Sequence, residues 1–300
     1  MSPAFRRVAL VGKQRSREIE ASLVELRSLL AARGCQIVLE QDTAVALGSA
    51  GGASFETLGR EADLAIVVGG DGTMLSAARN LVHYGVPLAG INLGRVGFMT
   101  DIALKDMREA VGAILDGRYT LEERTLLDAE IRRDGRQVLR TQALNEAVVG
   151  KGSQGRLIEF ELHVDGEYVY TLRADGVIVA TATGSTAYAL SAQGPILHPA
   201  VPALALVPLN PHTLSARPVS VLDRSVIEIV LVRALDARAH FDGYALADMA
   251  QGDRLVLRRS ADAVRFVHPP GYSYFVMLRE KLRWSEAVGR PGERTQTEGE

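Results

Sequence analysis

The sequence predicts an α/β domain followed by an all-β sandwich domain, with the last helix returning to the first domain. Over the first 120 residues, short apolar runs alternate with stretches of helical periodicity, the pattern of a parallel sheet covered on both faces. After Tyr119 the helical period vanishes and strand-like runs follow one another. Near the end, residues 274–284 turn helical again, and a lone helix after a β domain needs a surface to pack on. The expected division is an α/β domain over residues 1–120, joined by a C-terminal helix within 271–290. The β-sandwich covers 121–270, and 286–300 form a polar, disordered tail.

Each element has its own signal. Residues 8–11 read as a strand. Ile19, Leu23, Leu26 and Leu30 recur at helical spacing, and Gly34 is placed to end that helix. Further strands are expected at 37–39, 64–68 and 87–91, and further helices at 73–83 and 104–115, with Gly85 and Gly117 as stops. In the second domain strands are expected at 126–132, 143–149, 157–164, 168–172, 177–180, 204–207, 226–232, 254–258 and 264–268. Asp134-Gly135 and Asp165-Gly166 read as hairpin turns.

Composition narrows the function classes. The chain has 300 residues, 47% hydrophobic and 23% charged, enough for a sizeable core. With 34 basic and 36 acidic residues the net charge is −2, which argues against binding nucleic acid through bulk charge. A single cysteine, Cys35, excludes an internal disulfide and a multi-cysteine zinc site, and fits a cytoplasmic location. No export signal is expected, because no apolar core follows the first residues. Residues 176–216 contain no Asp, Glu, Lys or Arg, but Thr, Ser, Gln, Pro and Asn interrupt them, so no membrane span is expected. An uncharged Gly/Ser/Thr-rich segment suits interior backbone and the lining of an anion-binding site. None of the six histidines pairs at metal-ligand spacing, so each is expected to be a surface or core residue.

The sharpest local motif is G-G-D-G-T at 69–73, after an apolar strand and at the start of a helix. Ligands of open α/β sheets bind at such loops, where the helix N-terminus offers N–H groups to an anion. A carboxylate there, Asp71, is suited to accept a proton from a substrate hydroxyl. The competing reading is that Asp71 only caps the helix, a role asparagine would also fill. Residues 150–155, G-K-G-S-Q-G, match the dinucleotide fingerprint in letters, but the alternating run 157–164 follows where a helix is required, so a hairpin loop is expected. Asn145 and Glu146 offer an amide and a carboxylate that could hold a ribose diol or an adenine edge, or could form a solvated strand end. Arg173-Ala174-Asp175-Gly176 leads into a strand and then into the hydroxyl-rich turn Thr183-Gly184-Ser185-Thr186-Ala187-Tyr188. That turn could surround a nucleotide or form a structural corner.

Taken together, G-G-D-G-T (69–73), I-N-L-G-R-V-G-F-M-T-D (91–101), N-E (145–146), R-A-D-G (173–176), T-G-S-T-A-Y-A-L-S (183–191) and H-P-P-G-Y-S-Y-F (268–275) resemble bacterial NAD kinases, over about residues 8–284. The resemblance implies a Rossmann-like first domain and an NAD-binding β-sandwich. It implies phosphoryl transfer from ATP to the 2′-hydroxyl of the adenosine ribose of NAD. It also implies a divalent cation, Mg²⁺ arriving with ATP, and a homo-oligomer, dimer or tetramer. By motif match Asp71 is the proton acceptor and Gly72 part of the nucleotide loop. Asn145, Glu146, Arg156, Arg173, Asp175, Thr186, Ala187, Tyr188, Ala189, Leu190 and Ser191 line the dinucleotide pocket. Two positions depart from the family pattern: Tyr244 follows F-D-G where relatives have glutamine, and Gln193 stands where many have glycine. A lipid or sugar kinase of the same superfamily, or a non-catalytic NAD-binding regulator, are the alternatives.

Overall fold

The computed structural model describes residues 3–12, 17–94, 97–153, 155–243 and 245–284. The chain forms two compact units. One comprises Met1–Glu122 with Arg265–Glu300, and the other Glu123–Val264.

The first stretch alternates strand and helix: β1 (Arg7–Gly12), α1 (Arg17–Ala32), β2 (Gln36–Leu39), α2 (Gln41–Ala46), α3 (Phe55–Glu61), β3 (Leu64–Val68), α4 (Asp71–Leu81), β4 (Leu88–Asn92), β5 (Ile102–Ala103) and α5 (Met107–Leu115). Leu23, Leu26 and Leu30 of α1 are fully buried, as their spacing requires, and Gly34 leaves the helix at φ 74°. Two short helices, α2 and α3, escaped the periodicity reading. They are set by caps: the Glu40 side chain accepts from Thr43 N, and the Ser54 side chain from Thr57 N.

The second stretch is almost all strand: β6 (Thr120–Arg133), β7 (Arg136–Ala143), β8 (Glu146–Lys151), β9 (Ile158–Val164), β10 (Glu167–Ala174), β11 (Gly176–Ala180), the short α6 (Tyr188–Ser191), β12 (Ala203–Leu209), β13 (Val219–Leu222), β14 (Ile227–Arg233), β15 (Ala237–Phe241), β16 (Ala245–Met249) and β17 (Arg254–His268). The final helix is α7 (Tyr274–Leu282). It is shorter than the expected 271–290: Arg283 takes a left-handed φ of 54°, and 285–290 lie outside the described residues, as does the expected tail.

In the first unit β4, β3, β1 and β2 form a parallel sheet in that order, and Phe266 of β17 pairs with Leu88 of β4. Val8, Leu10, Leu64 and Ile66 share one apolar cluster with Leu23 and Leu26 of α1 and Met107 and Val111 of α5. Strand order reverses between β1 and β3, and the G-G-D-G-T loop leaves the carboxyl end of β3, the usual ligand position in such sheets. Helix α7 belongs to this unit and buries Tyr274, Met277 and Leu278.

In the second unit two antiparallel sheets face each other. One runs β10-β9-β14-β17 with the β6–β7 hairpin; the other runs β13-β12-β11-β8-β15-β16. Phe160, Leu162, Ile229 and Leu257 of the first share a core with Val149, Val177, Leu206 and Phe241 of the second, the arrangement of a sandwich. Asp134-Gly135 and Asp165-Gly166 take positive φ at both residues and join the β6–β7 and β9–β10 hairpins.

Three expectations are corrected. The run 143–149 is not one strand, because the chain bends between Ala143 and Glu146. The runs 254–258 and 264–268 belong to one continuous strand, β17. The 150–155 loop does not close a hairpin: β8 pairs with β11 and β15, while β9 pairs with β10 and β14, so the loop carries the chain from one sheet to the other.

Candidate functional site

Asp71 is the first residue of α4, after Gly70, whose position supplies no side-chain cap. Its carboxylate bonds the loop that follows β4. Oδ2 accepts the Phe98 N–H at 2.8 Å; Oδ1 accepts the Met99 N–H at 3.0 Å and the Thr100 hydroxyl at 3.2 Å. Thr100 is itself held by the Asn92 side-chain amide at 2.8 Å. Gly97 makes room for this: a Cβ there would stand 2.0 Å from Asp71 Oδ1. Asn92 and residues 97–100 of the I-N-L-G-R-V-G-F-M-T-D motif therefore form the bracket that holds the G-G-D-G-T carboxylate. A carboxylate offers about four acceptor positions. The three protein bonds leave one on Oδ2, and Asp71 is only partly buried beside the exposed Gly72. Asparagine is not a neutral replacement here. Its amide would turn a donor toward a main-chain N–H, which the sequence alone does not reveal.

The second unit contains a cleft of about 550 Å³ lined by Glu146, Val148, Gly150, Lys151, Asp175, Tyr188, Leu209, Asn210, His240 and Gly243. The Asn145–Glu146 corner at its edge is tightly determined. The Asp242 carboxylate accepts the N–H groups of Leu144, Asn145 and Glu146 at 2.8, 2.7 and 3.1 Å. The Thr181 hydroxyl donates to Leu144 O at 2.6 Å, and Thr181 N donates to Asn145 O at 2.9 Å. Gly184 must be glycine, because a Cβ would stand 2.0 Å from Asn145 O. Glu146 is buried, and among the described residues its Oε2 has no hydrogen-bond partner. Burial and the neighbouring Asp242 charge push its carboxyl up to about 7, against the opposing N–H of Tyr188. Asp175 behaves in the opposite way. The Lys151 ammonium at 2.6 Å and the Asn210 amide at 2.9 Å hold it below the usual carboxylate range.

Of the residues singled out in the sequence, this cleft brings together Glu146, Asp175 and Tyr188. Arg156, Arg173 and Ser191 are exposed and Thr186, Ala187 and Leu190 half-buried, none of them in its lining. Ala189 is fully buried in an apolar cluster with Ile178 and Val207, so it acts as core. Gln193 is exposed at φ 62°, a left-handed position that explains why glycine suits it. Tyr244 lies outside the described residues. Lys151, Asn210 and His240 were not expected in the cleft, nor was Asp242 expected to hold the Asn145–Glu146 corner. For Asp242 the available signal was the Asp-Gly pair after Phe241.

In the first unit His268 is also more than core. It is 2% exposed, with Nδ1 2.9 Å from Asp101 Oδ2 and Nε2 2.9 Å from Glu122 Oε2. The Tyr272 ring stacks on it at 3.7 Å. Burial pulls the imidazole down, but the two carboxylates outweigh it and hold His268 above its ordinary value. Among the described residues no group of three or more His, Cys, Asp or Glu is placed to hold a metal ion. No described helix is long and apolar enough to cross a membrane.

Comparison with known proteins converges on one family. Residues 8–119 match the ATP-NAD kinase N-terminal domain and 144–269 its C-terminal domain. The NAD kinase of Aromatoleum aromaticum is 56% identical over 97% of this chain and 98% of its own. That of Azoarcus sp. (strain BH72) is 54% identical over 95% and 98%. Among solved structures, an NAD kinase from Archaeoglobus fulgidus in complex with ATP superposes with TM-score 0.72 and 26% identity, over 94% of this chain and 100% of that one. Yeast NADH kinase complexed with NADH gives TM-score 0.85 over 99% of this chain and 90% of that one, and at 23% identity it speaks for the fold. With both domains matched and relatives above half identity along nearly the whole length, the chain belongs to the ATP-NAD kinase family.

Proposed function

We propose that this ATP-NAD kinase transfers the γ-phosphoryl of ATP to the 2′-hydroxyl of the adenosine ribose of NAD, giving NADP and ADP, with Asp71 as the proton acceptor. The observation that carries this reading is the bracketed carboxylate. Asp71 spends its hydrogen bonds on Phe98, Met99 and Thr100, which fix its direction and leave an acceptor position for a substrate hydroxyl. Phosphoryl transfer needs mainly positioning and charge neutralisation. A secondary hydroxyl becomes acidic as it is phosphorylated, so Asp71 takes its proton late in the step. The second-unit cleft serves the dinucleotide: Asn145 and Glu146 contact it, with Asp175 and Tyr188 at the wall. Of the remaining motif residues, Arg156, Arg173 and Ser191 reach the ligand from exposed positions. Among the described residues no cluster is placed to hold Mg²⁺; arriving with ATP, it would supply charge neutralisation at the phosphates, in keeping with its preference for substrate phosphates over protein cages. The same reading makes the enzyme a cytoplasmic homo-oligomer, dimer or tetramer, that sets the balance of NAD and NADP. The test is NADP formation from NAD, ATP and Mg²⁺ by the purified protein, with NADH and polyphosphate run in parallel. Binding of NAD without NADP formation would instead support a non-catalytic regulator.

A further inference from the structure

Asp242 follows β15, is only 6% exposed, and takes a positive φ of 53°. Its carboxylate gathers three consecutive main-chain N–H groups, those of Leu144, Asn145 and Glu146. In an extended strand successive N–H groups point to opposite sides, so one acceptor cannot reach three in a row. The corner that presents Asn145 and Glu146 is thus bent around this side chain. The Asp242 N–H returns a bond to Glu146 O at 3.0 Å, closing the two segments on each other.

We infer that Asp242 is a positioning residue for the dinucleotide cleft: it holds the Asn145–Glu146 corner and governs the charge that Glu146 presents to the ligand. The inference rests on the reading that Glu146 contacts NAD. Among the described residues, five groups face Glu146 or share its cleft. Asp242 approaches from the turn after β15, and the Tyr188 N–H from α6. Lys151 on β8 and Asp175 before β11 pair with each other at 2.6 Å and offset their charges. His240 on β15 is held below its ordinary value by burial and by Arg238, and is uncharged at neutral pH. What acts on Glu146 is therefore its burial, with Asp242 adding to it. Its Oε2, buried without a partner among the described residues, waits for a donor. A ribose diol donating there favours the ionised carboxylate, and the proton leaves for solvent. With the carboxyl near 7, NAD binding at pH 7 releases about half a proton per site.

The experiment is calorimetric titration of the full chain with NAD between pH 6 and 8, in buffers of different ionisation enthalpy, which counts protons directly. Wild type should release about half a proton at pH 7 and bind NAD more tightly at pH 8 than at pH 6. Glu146→Gln should bind more weakly and release none. Asp242→Asn should move the transition down by roughly one pH unit, cutting release at pH 7 to about a tenth of a proton. Asp242→Ser, also uncharged and able to accept main-chain N–H groups, should do the same if the asparagine variant folds poorly. Release unchanged in both Asp242 variants, with Glu146→Gln silent in the proton count, would leave Asp242 a structural residue and overturn the inference alone. Unchanged NAD affinity and proton count in Glu146→Gln would overturn the reading that Glu146 contacts NAD. Wild-type NAD affinity that is independent of pH overturns the inference whether or not the variants fold.

Discussion

Gly97→Ala tests the Asp71 bracket without touching Asp71. Gly97 has no left-handed φ, so alanine can adopt its backbone; the obstacle is space. The new Cβ would stand 2.0 Å from Asp71 Oδ1 and 2.3 Å from Thr100 Oγ1. Ordinary contact distances are about 3.5 Å or more, so the carboxylate must retreat by roughly 1–1.5 Å. That lengthens or breaks its bonds to Phe98 N, Met99 N and Thr100 Oγ1. Hydrogen bonds to a charged group contribute about 1.5–3 kcal/mol each, and overpacking costs about 1–3 kcal/mol. With partial recovery by solvent, the net loss should be about 2–3 kcal/mol, a Tm lower by about 5–10 °C. Misplacing a catalytic group by about 1 Å costs on the order of 10²-fold in rate, so kcat should fall by about that factor while NAD binding persists. Gly94→Ala is the control, since its Cβ would meet nothing within 4 Å. The assay is steady-state NADP formation with thermal melting of all three proteins. Wild-type kcat in Gly97→Ala, or an equal loss in Gly94→Ala, would refute the reasoning.

Three further outcomes are expected. The folded-state value of His268 is raised by Asp101 and Glu122, so its contribution is full below the unfolded value of about 6.5 and is lost as pH rises through the folded one. The Tm advantage of wild type over His268→Gln should therefore shrink from pH 6 to pH 9; an advantage that grows with pH would contradict the assignment. Ending the chain at His268 removes Tyr274, Met277 and Leu278, all buried, so the truncated protein should aggregate or melt early, and a fully active soluble truncation would contradict the placement of α7. Gln193→Gly relieves a left-handed side chain and should stabilise by about 0.5–1 kcal/mol, read as a raised Tm.

The fold was legible where burial imposes a period. Leu23, Leu26 and Leu30, or the five buried residues of β3, can be read because one environment repeats along the element. It was not legible where solvent or long-range pairing decides. β7 and β13 are edge segments, exposed over half or more of their residues and with weak apolar patterning, and α2 and α3 are too short to show a helical stripe. β17 reads as two strands because Ser260 and Asp262 interrupt its apolar residues. Gln142 bonds both and carries the strand through. The site divides in the same way. The G-G-D-G-T loop is local in sequence, so Asp71 could be singled out as a candidate. The bonds of Asp242 reach back 96 to 98 residues, and those of His268 span 146 and 167, and such pairings leave no local trace.

Asp71 is where NAD phosphorylation is tested most directly. Steady-state NADP formation and calorimetric NAD binding should be measured on wild type and Asp71→Asn side by side. Wild type should form NADP from NAD, ATP and Mg²⁺. Asp71→Asn should still bind NAD through the second unit, melt lower because its amide faces the Phe98 or Met99 N–H, and lose about 10²–10⁴-fold in kcat, the usual contribution of a general base. An asparagine variant that keeps more than about a tenth of wild-type kcat would contradict the assignment of Asp71 as proton acceptor.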